Sequence, residues 1–358
     1  MSLILTCLGK GGVGKTTTVI AMARGFARHG KRVLLVGQQA GDSLGHRLGV
    51  DLGCDVQLVA ENLWGAQLTA ATLLERYWER MKTVESQYLR TPFFKEVYGQ
   101  ELGILPGMDS ALGLSFLRER DAEGKYDVII YDGAGDLEIL RMLGMPEILG
   151  WYLRRFKQVL TGSALGQALS PFIEPILRSI LQVSSTDDIT QQAGQMGNVL
   201  VRGQQAVNDP NRVAAYLVTN DDPYSIRTAK YLWGSAQQVG LTVGGVLARE
   251  SCISRIPSGE FAPLAMQGIG EGATELLLEP ALDASRVPAP IQIDVKQGTV
   301  KLFLPTFNKK QVKLIQLGPE VTVEAGDQRR NIYLPPELAG KQATGAKFQD
   351  MYLLVSFG

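Results

Sequence analysis

The stretch that decides the fold is Gly9–Thr16, which reads GKGGVGKT and fits the phosphate-loop pattern G-x-x-x-x-G-K-[ST]. The apolar run Ser2–Leu8 precedes it and predicts a buried strand, and Thr16–Arg28 predicts a helix. Backbone N–H groups and the helix dipole bind phosphate where such a loop enters a helix. The sequence therefore predicts a nucleotide site in which the amides of this loop cradle the phosphates.

The side chains of this loop have roles that follow from the same pattern. Lys15 is expected to reach the β- and γ-phosphates of ATP, and the Thr16 hydroxyl is expected to bind Mg²⁺. Asp132 ends the apolar run Val128–Tyr131, so it is the second candidate ligand of Mg²⁺, acting through water. Gly12 and Gly14 allow a positive φ and a close approach of phosphate to the backbone.

Composition and charge exclude several classes of protein. The chain has 358 residues, of which 45% are hydrophobic and 20% charged, as is typical of globular proteins. Lys plus Arg and Asp plus Glu both number 36, and a net charge of zero argues against nucleic-acid binding. The three cysteines form no C-x-x-C pair, which argues against a zinc staple or a disulfide framework.

The short apolar runs of the chain indicate its cellular compartment. None approaches the roughly 18 residues that a membrane-spanning helix needs, and the first leads directly into the phosphate loop, unlike a signal peptide. We therefore expect a cytoplasmic protein, in a cytosol-like or plastid-stroma-like compartment, without stable membrane insertion.

Alternating apolar runs and helical stretches predict an α/β fold with an open parallel sheet and helices on both faces. The predicted strands after the first are Val33–Val36, Leu102–Leu105, Val128–Tyr131, Ala214–Thr219 and Val243–Ala248, and Pro223–Val239 is a predicted helix. Two longer segments, Asn62–Gly99 and Leu137–Asn208, predict a mostly helical subdomain beside the sheet. Their apolar side chains either pack as core against the sheet or form a groove for a hydrophobic client.

The C-terminal part of the chain has a different texture. Residues 280–290 are proline-rich and are interpreted as a linker that ends a first domain of residues 1–279. Residues 291–358 contain at least six short strand-like runs separated by Gly, Pro and Asn, which predict a small all-β sandwich.

Five segments together resemble the ArsA-type family of arsenite-pump and tail-anchored-protein-targeting ATPases. Residues 5–17 (LTCLGKGGVGKTT) resemble its first strand and phosphate loop, and residues 126–156 (YDVIIYDGAGDLEILRMLGMPEILGWYLRRF) its Walker B and switch II segment. Residues 102–112 and 208–219 resemble its P-G-x-D segment and a later strand entry. Residues 329–357 resemble an α-crystallin domain, a fusion typical of cyanobacterial or plastid-type members.

The resemblance adds roles for particular residues. Lys10 matches the second lysine of a deviant Walker loop, which crosses a homodimer interface to the partner's nucleotide. Gln39 stands where switch I of the family has the aspartate that positions the attacking water, and Asp42 lies three residues further on as a possible substitute. Arg249 lies near the place of the family's adenine-side asparagine and is a candidate to stack on the base. The predicted catalytic residues are thus Lys10, Lys15, Gln39 and Asp42, and the predicted nucleotide-binding residues are Gly9, Lys10, Gly11, Gly12, Val13, Gly14, Lys15, Thr16, Thr17, Asp132 and Arg249.

Three functions compete at this point. The first is a homodimeric, Mg²⁺-dependent ATPase that couples its nucleotide state to a hydrophobic protein segment or apolar ligand. The second is a nucleotide-binding holdase or scaffold with little turnover, which the altered switch residues motivate. The third is a positioning ATPase of the Min/Par type, which the strand-like C-terminus Tyr352–Phe357 and the zero net charge disfavour.

Overall fold

The computed structural model describes residues 1–39, 41, 43–88, 97–162 and 189–358. Elements are numbered in chain order within these ranges. In the N-terminal part the strands are β1 Leu3–Leu8, β2 Val33–Gly37, β3 Gln57–Ala60, β4 Leu63–Gln67, β5 Val128–Asp132, β6 Val213–Thr219, β7 Thr242–Arg249 and β8 Met266–Ile269. The helices of that part are α1 Lys15–Arg28, α2 Ser43–Leu48, α3 Ala70–Tyr88, α4 Met108–Ala122, α5 Asp136–Gly162, α6 Ile189–Asn208, α7 Pro223–Gln238 and α8 Glu250–Ile253.

The eight strands form one sheet with the order β3-β4-β2-β5-β1-β6-β7-β8. All neighbours are parallel except the β3–β4 pair at one edge. Strands β2 and β5 are buried along their whole length, as expected of central parallel strands that helices cover on both faces. The predicted α/β fold is thus confirmed, and β1, which leads into the phosphate loop, is central.

Two predictions about this region are wrong. Leu102–Leu105 is not a strand: it is irregular, and Gly103, Ile104 and Leu105 are exposed, so its apolar side chains have no sheet to cover. The start of the predicted helical segment Asn62–Gly99 is strand β4, whose Leu63 and Ala66 are buried beside β2. Helices α3, α5 and α6 account for the helical expectation elsewhere, and residues 89–96 and 163–188 lie outside the described part.

The segment interpreted as a linker is attached to the sheet. It forms two short 3-10 turns, Pro280–Leu282 and Ala284–Arg286. Leu282 is fully buried, and its carbonyl oxygen accepts a hydrogen bond of 2.9 Å from the Tyr216 hydroxyl on β6. Burial and this bond fix the path of the chain between the large sheet and the strands that follow.

The C-terminal strands form two antiparallel sheets that enclose a separate core. They are β9 Ile291–Asp294, β10 Thr299–Phe303, β11 Val312–Leu317, β12 Glu320–Ala325, β13 Gln328–Tyr333, β14 Ala343–Gln349 and β15 Tyr352–Phe357, with the short helix α9 Pro336–Ala339. One sheet has the order β14-β15-β10-β9 and the other β11-β12-β13. Alternation places Val321 and Val323 of β12 and Val355 of β15 in the core between the sheets. The predicted all-β sandwich is confirmed, and β14 is a strand that the sequence did not reveal.

A buried arginine joins the β-sandwich to three helices. Arg330 of β13 is 3% exposed, and its Nη1 donates to the Gln237 carbonyl oxygen of α7 at 3.2 Å. Its Nη2 donates to Asn208 Oδ1 of α6 at 3.3 Å, and its Nε lies 3.6 Å from Glu147 Oε1 of α5. Burial raises the pKa of Glu147 and the positive charge of Arg330 lowers it. Both partners of this ion pair are therefore largely removed from water.

Within the described ranges, every helix is too short or too polar to span a lipid bilayer.

Replacing Arg330 tests this junction. Arg330→Leu leaves Glu147 without its counter-charge, and we expect the free energy of unfolding to fall by about 3–5 kcal/mol. Denaturant titration followed by circular dichroism measures it. The adjacent Arg329 pairs with Glu324 on the surface, so Arg329→Leu is the control and should change the free energy of unfolding far less. Adding Glu147→Gln to Arg330→Leu should recover part of the loss, and equal costs for the two arginines would contradict this account.

Candidate nucleotide site

The phosphate loop lies between the end of β1 and the start of α1, at the carboxyl edge of the sheet. Gly12 and Gly14 have φ angles of 85° and 102°, so both occupy the left-handed region that glycine tolerates. Gly14 is also the residue before the helix, and the Thr18 backbone N–H donates to its carbonyl oxygen at 2.9 Å. The loop thus ends directly on a helix N-terminus, whose free N–H groups and dipole favour an anion.

Gly9 sits where the loop passes the neighbouring strand. A Cβ atom at this position would lie 2.1 Å from the Val218 carbonyl oxygen of β6, much closer than van der Waals contact allows. The first glycine of the loop is therefore required by packing against β6. Val13 is buried, and its Cγ2 would lie 3.3 Å from the same Cβ atom, so its side chain packs in the core beside Gly9.

Lys15 is held inside the loop by two oxygen atoms. Its Nζ donates to the carbonyl oxygen of Gly9 and lies 3.3 Å from Asp136 Oδ2 at the start of α5. The Lys15 and Asp136 side chains are 13% and 17% exposed. The other oxygen, Asp136 Oδ1, accepts from the Gly9 backbone N–H at 2.9 Å. A single carboxylate from α5 therefore contacts the loop at both its lysine and its backbone.

The two candidate Mg²⁺ ligands lie on either side of one amide group. Asp132, 4% exposed, ends β5, and the Gln39 Nε2 donates to its Oδ1 at 3.1 Å. The same nitrogen donates to Thr16 Oγ1 at 3.4 Å. Burial raises the pKa of Asp132, while the Thr16 hydrogen bond and the Lys15 charge lower it. The Gln39 amide thus contacts both the Thr16 hydroxyl and the Asp132 carboxylate. Both are hard oxygen ligands of the kind that Mg²⁺ prefers, so the donor set fits this ion.

The remaining predicted residues lie around this centre. The Lys10 Nζ lies 3.2 Å from Asp222 Oδ2, and both side chains are exposed. The Thr17 hydroxyl accepts from Arg47 Nη1 at 3.2 Å. Gly11 is exposed in the loop. Arg249 ends β7, two strands away from β1, with an exposed side chain. Asp42 lies outside the described residues.

Sequence reasoning missed three side chains that contact the loop or the first turn of α1. Asp136 stands four residues after Asp132. The one feature of the sequence that could have indicated it is an acidic residue in the first turn of a helix. Asp222 precedes Pro223 and caps α7, where its side chain accepts from the Ser225 N–H at 3.1 Å. The Asp-Pro pair indicates the start of a helix, but it does not indicate the contact with Lys10. Arg47 on α2 had no signal, because its contact with Thr17 depends on how α2 packs beside α1.

Comparison with known proteins identifies two families along the chain. The family described as anion-transporting ATPase matches residues 2–253, and the family described as the HSP20-like domain found in ArsA matches residues 296–357. The chain belongs to the ArsA-type anion-transporting ATPase family. It is an ATPase with a C-terminal α-crystallin-like domain, so the resemblance noted in the sequence is confirmed.

Several relatives align along nearly the whole chain. A putative arsenical pump-driving ATPase of Chlorobaculum tepidum is 24% identical over 388 residues, covering 99% of this chain and 95% of the relative. Another from Aquifex aeolicus is 21% identical over 98% of this chain and 99% of its own length. The ATPase GET3 of Malassezia globosa is 26% identical over 170 residues, which is 47% of this chain and 48% of that protein.

The packing of Gly9 gives a prediction that needs no nucleotide. Gly9→Ala places a methyl group against the Val218 carbonyl oxygen, and we expect the free energy of unfolding without nucleotide to fall by about 1–3 kcal/mol. Gly11→Ala is the matched control, because its Cβ would meet no described heavy atom within 4 Å. Denaturant unfolding of both variants measures the difference. If the two substitutions cost the same, the close approach of the loop to β6 is wrong.

Proposed function

We propose that this chain is an Mg²⁺-dependent ATPase that works as a homodimer and couples its nucleotide state to the binding of a hydrophobic protein segment. The observation that carries the proposal is the convergence of Lys15, Thr16 and Asp132 at the carboxyl edge of the sheet, beside a loop whose backbone faces an anion. We place the protein in a cytosol-like or stroma-like compartment. Family membership supports the ATPase activity; the dimer, the metal and the client belong to the proposal.

The proposed chemistry is hydrolysis of the terminal phosphoanhydride bond of ATP. Amides of Gly11–Lys15 cradle the β-phosphate, and the Lys15 ammonium stabilises negative charge on the transferred group. Thr16 and Asp132 would hold Mg²⁺, which supplies positive charge to the phosphate oxygens. Gln39 is close enough to Asp132 and Thr16 to orient a water by hydrogen bonds, although its amide cannot act as a charged base.

Lys15→Ala tests the site. Removing the ammonium takes away the positive charge nearest the loop, and we expect the ATPase rate to fall by about 100-fold or more. Lys31→Ala is the control, because Lys31 is exposed before β2, at the opposite edge of the sheet. Phosphate release by purified, folded protein is the measurement. Equal rates in wild type and Lys15→Ala would remove the site assignment.

The homodimer is proposed from Lys10. This lysine is exposed at the mouth of the loop and is paired within its own chain to Asp222. An exposed ion pair contributes little to stability, so Lys10 can leave Asp222 at small cost. We propose that it then reaches the nucleotide of the partner subunit across the dimer interface.

Two substitutions separate the pair with Asp222 from the proposed contact across the dimer. Lys10→Ala removes the cation and is expected to weaken dimerisation in the presence of MgATP. Asp222→Asn keeps the helix cap, since asparagine caps as well as aspartate, but frees Lys10. Sedimentation velocity with and without MgATP should show nucleotide-linked dimers for wild type and Asp222→Asn and fewer for Lys10→Ala. Unchanged dimerisation of Lys10→Ala would overturn the role of this lysine.

The client surface is proposed on the outer side of α5 and α6. The first half of α5 is core: Leu140, Met142 and Leu143 are buried against the sheet. Further along, Ile148 and Tyr152 of α5 and Val201 of α6 are exposed. Apolar side chains left in water on two adjoining helices support an apolar partner. We therefore propose that the first half of α5 is core and that the exposed apolar side chains further along bind the client.

One observation favours the second candidate, a nucleotide-binding holdase. In this chain a glutamine stands at the switch I position, and its amide is engaged by Thr16 and Asp132. A single-turnover measurement with excess protein distinguishes the two functions. Release of phosphate within minutes supports the ATPase cycle, and retention of intact bound ATP for hours supports the holdase.

A further inference from the structure

The carboxylate of Asp136 binds Lys15, the cation that the loop would offer to a phosphate, and the backbone of Gly9 at the start of the loop. Its Oδ1 accepts from the Gly9 backbone N–H at 2.9 Å, and its Oδ2 lies 3.3 Å from the Lys15 ammonium. A lysine ammonium is one of the donors with which such loops hold phosphate oxygens. The loop is therefore already in contact with an anion, the side-chain carboxylate of the first residue of α5.

The contact is well shielded from solvent. Both side chains are less than one-fifth exposed, so water competes poorly for either charge. Burial raises the pKa of Asp136, and the Lys15 charge and the Gly9 N–H lower it. Among the described residues, the Lys15 ammonium is the only side-chain cation within hydrogen-bonding distance of this carboxylate.

We propose that Asp136 is an internal competitor of the nucleotide, which occupies Lys15 until a β- or γ-phosphate displaces it and so sets the affinity of the site. The inference rests on the proposed function, because it assumes that nucleotide binds at this loop. Lys15 reaches the β- and γ-phosphates in loops of this pattern, so only nucleotides that carry a β-phosphate need to expel the carboxylate. Binding of ADP or ATP then includes the cost of breaking the Asp136–Lys15 contact, whereas binding of AMP does not.

Nucleotide affinity of charge-neutral variants tests the proposal. Asp136→Asn keeps an oxygen for the Gly9 N–H but removes the charge that holds Lys15, and we expect its Kd for MgADP to fall by about tenfold. The Kd for AMP should be unchanged. Glu138→Gln is the matched control, because it removes the same charge from the same turn of α5 while Glu138 is exposed. Calorimetric titration of the full chain gives both constants, and circular dichroism confirms folding.

Each outcome decides between the proposals. Tighter ADP binding by Asp136→Asn and not by Glu138→Gln supports the competitor. Equal ADP affinity of Asp136→Asn and wild type overturns it and leaves the nucleotide site intact. An equal gain for AMP also overturns it, because the effect would not depend on the β-phosphate. Absence of binding by wild type and every variant overturns the proposed function itself. If Asp136→Asn does not fold, Asp136→Ala is measured in the same way.

Discussion

The contact between Asp136 and the phosphate loop is the interaction that joins the candidate site to helix α5. It fixes the Lys15 ammonium over the loop, and it also fixes the first turn of α5 against the Gly9 backbone. Gly9 in turn lies against β6, where no larger residue fits. The geometry of the loop is therefore set from both neighbours of β1: by the chain that follows β5 on one side and by β6 on the other.

Helix α5 connects this site with the C-terminal sandwich. It begins at Asp136 beside the loop and carries Glu147, the partner of the buried Arg330, eleven residues further on. Trp151 of the same helix donates from its Nε1 to Glu320 Oε2 of β12 at 3.1 Å, and Arg141 pairs with Asp327 at the β12–β13 turn. One helix thus contacts both the candidate phosphate-binding groups and the β11-β12-β13 sheet. A ligand that moved the start of α5 would act on a helix already attached to that sheet.

The sequence predicted those parts of the fold whose signal is local. Strands β2 and β5 are continuous apolar runs because parallel central strands are buried on both faces, and β12 alternates because one face is solvated. The two wrong predictions arise because an apolar run is not enough to make a strand. Residues 102–105 (LGIL) are apolar but pair with no described strand, and β4 (LWGAQ) pairs with β2 although it contains no continuous apolar run. Strand identity in these cases is decided by tertiary contacts.

At the candidate site, too, some residues are encoded by local sequence and others are placed by tertiary packing. Lys15 and Thr16 could be predicted from a motif with fixed spacing, and Asp132 from its place at the end of an apolar strand. Asp136, Asp222 and Arg47 reach the loop from residues 30 to more than 200 positions away, through packing that no short pattern records. The sequence predicts Gln39 as a replacement in switch I, and the structure adds that its amide contacts both candidate metal ligands, Thr16 and Asp132.

The central claim is that this loop binds a magnesium nucleotide, and calorimetric titration of the purified full chain with MgATP tests it most directly. The account predicts saturable binding of one nucleotide per chain that weakens when EDTA removes the metal. Folded protein that takes up neither ATP nor ADP, with or without Mg²⁺, would contradict the account.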